Sequence, residues 1–132
     1  MSREADWLRQ AANDLAWAEH SHAGGFHAQT CFAAQQAGEK ALKALCFTLG
    51  YDIVRTHSLF QIVEMLGVNG ELREQARELD FYYLTGRYPD AFPAGAPFEM
   101  IRPQQAESAL QAARGLLDTV TRRIGPEPGA RT

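Results

Sequence analysis

Apolar residues recur every three or four positions along most of the chain, a spacing typical of amphipathic α-helices. The first predicted helix covers residues 3–20, and the turn Gly24-Gly25 follows it. The second covers residues 26–49 and has the most regular apolar face, with Gly50 as its expected carboxyl cap. Trp7, Leu8, Ala11, Leu15 and Ala18 form the apolar stripe of the first helix, and Ala28, Cys31, Phe32, Leu42, Leu45, Cys46 and Leu49 form that of the second.

Two shorter helices are predicted in the middle of the chain. Ser58-Leu59-Phe60-Gln61 matches a capping box, so a short third helix begins there. A fourth helix begins at Asn69 or Gly70. The inward residues are Leu59, Ile62, Val63 and Leu66 in the third helix, and Leu72, Ala76, Leu79 and Tyr83 in the fourth.

The pattern is lost over residues 86–102, which hold three prolines and two glycines and show no periodicity. Loops of this length are uncommon in compact domains and are often functional. Pro103 suits the first position of a fifth helix, which runs to residue 124. Residues 125–132 read as a flexible tail. The sequence therefore predicts an all-α fold, with one domain of about five helices over residues 1–124.

Composition restricts the class of protein. The chain has 132 residues, of which 45% are hydrophobic and 22% charged, the balance of a soluble globular domain. No apolar run approaches the roughly 20 residues that span a bilayer. The polar start, Met1 to Asp6, does not resemble a secretory signal, so we expect a cytoplasmic protein without a membrane partner. The net charge of −3 argues against a general nucleic-acid binder but leaves room for a local basic pocket.

The two cysteines, Cys31 and Cys46, lie on one predicted helix. Their separation along it is ~22 Å at ~1.5 Å per residue, too far for a disulfide. We expect two buried thiols that act as small hydrophobes. No second cysteine or histidine stands at ligand spacing, so no metal site is predicted.

The second helix carries polar residues where its pattern calls for apolar ones. Gln35 falls in the middle of the apolar stripe and Glu39 near its edge, and both need partners if they are buried. Gln36, Lys40 and Lys43 follow on the adjoining face. One interpretation is a Glu–Lys surface pair beside a satisfied core glutamine. The other is a face that meets a second subunit or an anionic ligand.

Histidines occur in two places. His57 directly precedes the third helix, where it serves either as a capping or packing residue or as a catalytic base, and Arg55 adds a cation nearby. His20, His22 and His27 surround the first turn, and we expect them to face solvent rather than hold a metal.

The segment Gly86-Arg87-Tyr88-Pro89-Asp90 offers an arginine fork for a phosphate or carboxylate and a tyrosine ring for stacking. These two groups suit a nucleotide or an anchor at an interface. In the alternative, Arg87 bonds loop carbonyls or Asp90 and holds the loop in place. The sequence contains no glycine-rich phosphate loop, no HExxH and no Gly-x-Ser-x-Gly, so it specifies no reaction.

Three separated blocks resemble the HEPN (higher eukaryotes and prokaryotes nucleotide-binding) domain family. They are residues 35–45, residues 56–59 and residues 84–90, and the resemblance extends over residues 4–122. It implies an up-and-down four-helix core with a short extra helix, a homodimer and a nucleotide ligand such as ATP or GTP. It also implies a minimal nucleotidyltransferase as partner in a toxin–antitoxin-like module, with Tyr88 as a candidate acceptor of a nucleotidyl group.

Another branch of the family consists of metal-independent ribonucleases, whose motif is an arginine followed after four to six residues by a histidine. Arg3, Arg9 and Arg55 are the arginines that precede His57, the last histidine, and none has this spacing to any histidine. We therefore expect a binding module. The alternatives are an enzyme that uses His57 with Arg87, and a scaffold whose polar face specifies dimer pairing.

The helix faces, taken with the resemblance, place the candidate residues in one polar cluster. We assign no catalytic residue and name His57 only as a candidate. The expected ligand-binding residues are Lys40, Lys43, Arg55, His57, Arg87, Tyr88 and Asp90, and the expected interface or polar-core residues are Gln35, Gln36 and Glu39.

Overall fold

The computed structural model describes residues 3–125, and these residues contain helices and no strand. The all-α class is confirmed, and five of the helices have eight or more residues. The elements are α1 (Glu4–Ala23), α2 (His27–Thr48), α3 (Leu59–Leu66), α4 (Glu71–Asp80), α5 (Tyr82–Thr85), a 3₁₀ turn (Pro89–Ala91), α6 (Pro97–Met100) and α7 (Pro103–Ile124).

Helix α2 is the centre of the bundle. It packs mainly against α1 and α7, and its other sides contact α3, α4, α5 and α6. Fifteen of its 22 residues are buried, far more than the single face of an amphipathic helix. Many of these residues are small, which lets neighbouring helices approach closely. They include Ala33, Ala34, Ala37, Gly38, Ala41 and Ala44.

Gly38 is the position where this approach is tightest. A Cβ placed there would lie 2.7 Å from Leu59 Cδ2 and 3.0 Å from Leu79 Cδ1, and both leucines are fully buried. The absence of a side chain at Gly38 therefore sets how closely α3 and α4 approach α2.

Helix α2 ends at Thr48, with Leu49 as its C-cap and the predicted cap residue, Gly50, directly after it. Gly50 has a φ of +99°, a conformation that glycine adopts without steric cost. The Tyr51 N–H donates to the Cys46 carbonyl at 3.1 Å and the Gly50 N–H donates to the Phe47 carbonyl at 3.1 Å. These two bonds satisfy carbonyls that the helix end leaves free.

The capping box at α3 forms only in part. Ser58 Oγ accepts a hydrogen bond from the Gln61 N–H at 3.2 Å, as predicted. The Gln61 side chain bonds Thr56 Oγ1 instead of the Ser58 N–H. Thr56 Oγ1 accepts the Ser58 N–H at 3.0 Å in its place.

The prediction that Tyr83 lies on the buried side of α4 is wrong. Helix α4 ends at Asp80, and α5 resumes at Tyr82 after one turn residue, Phe81. This step buries Tyr82, and burial raises the pKa of its phenol to about 12. Tyr83 is half-buried as a result and becomes available to the site described below.

The segment 86–102 is more ordered than its composition predicts. It contains the 3₁₀ turn and α6, and each begins at a proline, the residue that suits a first helical position. Both are single turns, too short to show periodicity in the sequence. The long helix that follows has the predicted bounds, Pro103–Ile124, and the predicted tail lies outside the described residues from position 126 onward.

Both cysteines are free and buried, as predicted. Burial raises the pKa of the Cys31 thiol to about 12 and that of Cys46 to about 11. No helix in the described part of the chain is both long and apolar enough to cross a membrane.

We predict that Gly38→Ala lowers the free energy of unfolding by about 1–2 kcal/mol. The added methyl group overlaps Leu59 and Leu79, and this strain exceeds the roughly 1 kcal/mol that alanine gains over glycine in a helix. Urea denaturation measures the change.

Gly115→Ala is the matched control, because a Cβ in that α7 position meets only the mobile amide end of Gln75. It should leave stability unchanged or raise it. Equal effects of the two substitutions would contradict the packing described for Gly38.

Candidate functional site

The start of α3 is bound to the end of α4 through one carboxylate. Asp80 Oδ1 accepts the Leu59 N–H at 2.6 Å, and Oδ2 accepts the Phe60 N–H at 3.0 Å and the Ser58 hydroxyl at 2.8 Å. A negative charge at a helix amino terminus also interacts favourably with the helix dipole. Asp80 thereby fixes the backbone that leads into α3 and the position of the preceding residue, His57.

His57 is held on two sides. Its Nδ1 lies 3.0 Å from Glu39 Oε2 on α2, and its ring stacks on the Tyr83 ring with centroids 5.1 Å apart and an interplanar angle of 13°. The side chain remains 57% exposed. The capping of α3 comes from Ser58 and Asp80, so His57 is free for another role.

Glu39 is a buried carboxylate with three donors around it. Lys43 Nζ lies 2.9 Å from Oε2, and both side chains of this pair are only 8% exposed. Gln35 Nε2 donates to Oε1 at 3.3 Å, and His57 completes the set. The interpretation of a Glu–Lys surface pair is therefore wrong, because the α3 side of the bundle covers this face of α2. Gln35 is the satisfied core glutamine that the same interpretation proposed.

The hydrogen bonds continue through α2 toward α1. Gln36 Nε2 donates to Gln35 Oε1 at 2.8 Å, and Lys40 Nζ donates to Gln36 Oε1 at 3.5 Å. Lys40 also pairs with Asp14 of α1, a carboxylate that is itself buried. Side chains from α1, α2 and the α3 entry thus form one polar network.

The two ends of this network fix its direction. A lysine ammonium can only donate and an ionised carboxylate can only accept. With Lys40 at one end and Glu39 at the other, both glutamine amides must present their oxygens toward Lys40 and their nitrogens toward Glu39. The four charges, on Asp14, Lys40, Glu39 and Lys43, also cancel in sum.

A cavity of about 470 Å³ opens where the α3 entry, the end of α4 and α5 meet. Most of its surface is apolar, with a few hydroxyl, imidazole and carboxylate groups among aromatic and aliphatic side chains. The described residues that line it are His57, Ser58, Asp80, Phe81, Tyr83, Leu84, Thr85 and Ala91. Such a mixture is typical of small-molecule sites.

Arg87 lies beside this cavity and its guanidinium contacts three aromatic rings. Its guanidinium carbon is 4.5 Å from the Phe32 ring centroid, 4.9 Å from that of Tyr83 and 4.7 Å from that of Tyr88. Nε donates to the Tyr83 carbonyl at 3.2 Å. The carbonyl bond belongs to α5, and no bond joins Arg87 to Asp90 within the described structure. Arg87 is exposed, so the cation is positioned by stacking and remains open to a ligand.

The structure brings some of the predicted residues together. Lys43 and His57 meet at Glu39, and His57 and Arg87 both contact one ring, that of Tyr83. Tyr88 joins them through its contact with Arg87.

Three other predicted ligand-binding residues lie apart from this group. Lys40 is two turns along α2 from Phe32, bonded to Asp14, and lines a separate cavity of about 320 Å³ near the start of α1. Arg55 and Asp90 are exposed, and their side chains form no hydrogen bond or ion pair with the described residues.

Sequence reasoning missed several residues of the site. The sequence does contain a signal for Asp14, which is a polar residue among Ala11, Leu15 and Ala18 in the apolar stripe of α1. Gln35 interrupts the stripe of α2 in the same way. Asp80 and Tyr83 had none, since their roles depend on how α4 and α5 meet α3.

The histidine pair at the first turn differs from expectation. His22 Nε2 lies 3.1 Å from Glu107 Oε2 of α7, and its ring contacts that of His27 edge to face. Both side chains are half-buried, so the expectation that they face solvent is wrong for them, and of the three histidines around this turn only His20 is exposed. Residues 3–125 contain no group of three or more residues arranged to hold a metal.

The comparisons with known proteins identify the fold. A sequence model described as "HEPN domain" matches residues 5–124. The chain belongs to the HEPN domain family. The resemblance of the three sequence blocks is thus confirmed, and the cavity described above belongs to a HEPN domain that lacks the ribonuclease motif.

Solved structures agree with this assignment. TT1696 from Thermus thermophilus is 41% identical with a TM-score of 0.84, covering 91% of this chain and 97% of that chain. ST0689, described as an archaeal HEPN homologue, is 33% identical with a TM-score of 0.81, covering 95% and 100%. A HEPN domain protein of Thermotoga maritima, tm0613, is 28% identical with a TM-score of 0.68, covering 87% and 93%. No curated protein sequence matches significantly.

We predict that Lys43→Met lowers the free energy of unfolding by about 3 kcal/mol, because it leaves the buried Glu39 charge without its ion-pair partner. Thermal and urea denaturation measure the loss.

Two further variants identify the cause of the stability loss in Lys43→Met. Adding Glu39→Leu to Lys43→Met should recover part of the loss, since no unpaired charge is then buried. Arg122→Met, which removes a cation from an exposed pair with Asp118, should change stability by less than about 1 kcal/mol. A small effect of Lys43→Met would show that the Glu39 site is solvated.

Proposed function

We propose that this HEPN protein binds a nucleotide, such as ATP or GTP, in the cavity beside α5, with Arg87 on a phosphate. The observation that supports this most is the shared ring of Tyr83. This ring lines the cavity, stacks on His57 and contacts the Arg87 guanidinium. A ligand with an aromatic, uncharged part and an anionic part fits these two neighbouring environments.

The charges favour one orientation of that ligand. Among the described residues, no lysine or arginine lines the cavity itself, and Asp80 contributes a carboxylate to its wall. A phosphate inside the cavity would meet that carboxylate without a compensating cation. The nucleoside therefore occupies the cavity, where rings are available for stacking, and the phosphates extend toward Arg87.

The affinity expected from such contacts is modest. One arginine–phosphate contact and one or two stacked rings contribute a few kcal/mol in total, enough for micromolar to millimolar dissociation constants. The cavity is open and the chain carries net negative charge, so we do not propose tight binding or a general nucleic-acid site. We propose that the protein binds this nucleotide in the cytoplasm.

We predict saturable binding of ATP or GTP at about 100 μM or tighter, about −5.5 kcal/mol, in a calorimetric titration. Arg87→Ala should weaken it at least about tenfold, because a charge-assisted bond to phosphate is lost.

Arg123→Ala is the control, since Arg123 is an exposed arginine in the last turn of α7. It removes the same charge from the protein and should leave the affinity unchanged. Binding that is insensitive to Arg87→Ala would place the nucleotide elsewhere, and no heat with either nucleotide would refute the proposal.

A protein partner is the second candidate function, supported by the exposed apolar residues around the same cavity. Phe81, Leu84 and Tyr88 are about half exposed and lie on consecutive parts of α5 and its flanks. We propose that a second copy of the chain covers them in a homodimer. We also propose a minimal nucleotidyltransferase as a separate partner protein. It would bind the same surface of the monomer. The scaffold alternative, in which a polar face specifies pairing, has less support, because Gln35, Glu39 and Lys43 are buried within the chain.

We predict that Leu84→Glu converts a dimer to a monomer in light scattering coupled to size exclusion, because it places a charge in an apolar contact. Leu49→Glu is the matched control, since Leu49 is 61% exposed against 53% for Leu84 and follows the carboxyl end of α2. A wild-type monomer at high concentration would contradict the homodimer.

A further inference from the structure

The orientation of His57 determines which of its nitrogens a ligand can reach. Nδ1 points inward to the buried carboxylate of Glu39 at 3.0 Å. The ring lines the cavity and the side chain is 57% exposed, so the edge that carries Nε2 is the one open to a ligand. One face of the ring is covered by Tyr83, which limits rotation.

The network around Glu39 determines what Nε2 can do. Glu39 accepts hydrogen bonds from Lys43 at 2.9 Å and from Gln35 at 3.3 Å, as an ionised carboxylate does. A carboxylate cannot donate, so the contact with His57 requires a proton on Nδ1. In the neutral imidazole the second nitrogen then carries a lone pair. In this neutral form Nε2 is a hydrogen-bond acceptor, on the side of the ring away from Glu39.

An acceptor at this place selects among the parts of a nucleotide. Phosphate oxygens are themselves acceptors and gain nothing from a neutral imidazole lone pair. Ribose hydroxyls and the amino groups of the bases can donate to it, and of these the hydroxyls lie nearer to the phosphates. Arg87 and His57 both contact the Tyr83 ring, so a nucleotide whose phosphate chain extends to Arg87 can place its sugar beside His57.

We infer that His57 Nε2 accepts a hydrogen bond from a ribose hydroxyl of the bound nucleotide, and that Glu39 acts as the positioning residue that presents this nitrogen. The inference rests on the proposed nucleotide site and adds a selectivity to it. The site then favours nucleotides that carry the contacted ribose hydroxyl, and it does so without a bond to the base.

The test compares ATP with 2′-deoxy-ATP and 3′-deoxy-ATP by calorimetry at about pH 8. GTP and its deoxy forms replace them if GTP is the nucleotide that binds. We expect one deoxy analogue to bind about three- to tenfold more weakly than its parent, the effect of one lost neutral hydrogen bond. His57→Phe keeps a ring against Tyr83 and removes Nε2, so the two affinities should become equal.

The outcomes separate this inference from the proposed function. If ATP binds and both deoxy analogues bind equally well to the wild type, the nucleotide site stands and the ribose contact is refuted. A preference that persists in His57→Phe also refutes it, because the hydroxyl is then recognised by another group. If no nucleotide binds, both proposals fail.

The role of Glu39 has a separate readout. The ¹⁵N spectrum of the His57 imidazole reports which nitrogen carries the proton, independently of any ligand. We expect the Nδ1–H form to dominate in the wild type and to lose its dominance in Glu39→Gln, whose amide can donate as well as accept. A dominant Nε2–H form in the wild type would overturn the inference, since that nitrogen could then not accept a hydroxyl proton.

Discussion

A carboxylate buried beside the central helix is the feature on which the site depends. Glu39 is nearly inaccessible to water, and a charge in that position is tolerated only with full hydrogen bonding and a counter-charge. Lys43, Gln35 and His57 supply these requirements. The fully buried Gln35 in turn needs a donor for its oxygen, which leads through Gln36 to Lys40 and to Asp14 on α1. Removal of Lys43 would leave the buried Glu39 carboxylate without its counter-charge.

The same requirement explains how the cavity acquires a fixed geometry. Two carboxylates hold the α3 entry from different sides, Asp80 through backbone N–H groups and Glu39 through the His57 ring. Tyr83 then stacks on His57 and carries Arg87. An imidazole and a cation are thereby both held against one aromatic ring at the cavity. All of these contacts lie within one domain.

The sequence predicts the helices well and the site in part, and the reason for the difference is physical. Helices α1, α2 and α7 are long enough for their periodicity to be read, and Gln35 and Glu39 are visible as polar residues in an apolar stripe. A helical projection of α2 alone leaves open whether Lys43 faces solvent, a second subunit or a ligand, whereas in the fold Lys43 is buried beside Glu39. The periodicity of α4 predicts a buried Tyr83. The break of one residue at Phe81 shifts the buried position to Tyr82 instead. Contacts between distant segments, such as that of Asp80 with Ser58, leave no trace in local patterns.

The most direct test of this account is a titration of ATP or GTP followed by backbone amide chemical shifts. The account predicts that the largest changes occur at Tyr83, Leu84 and Thr85 and at the α3 entry, with the α1–α2 cavity near Trp7 and Gln10 unaffected. Changes confined to the α1–α2 cavity, or absent throughout the chain, would contradict it.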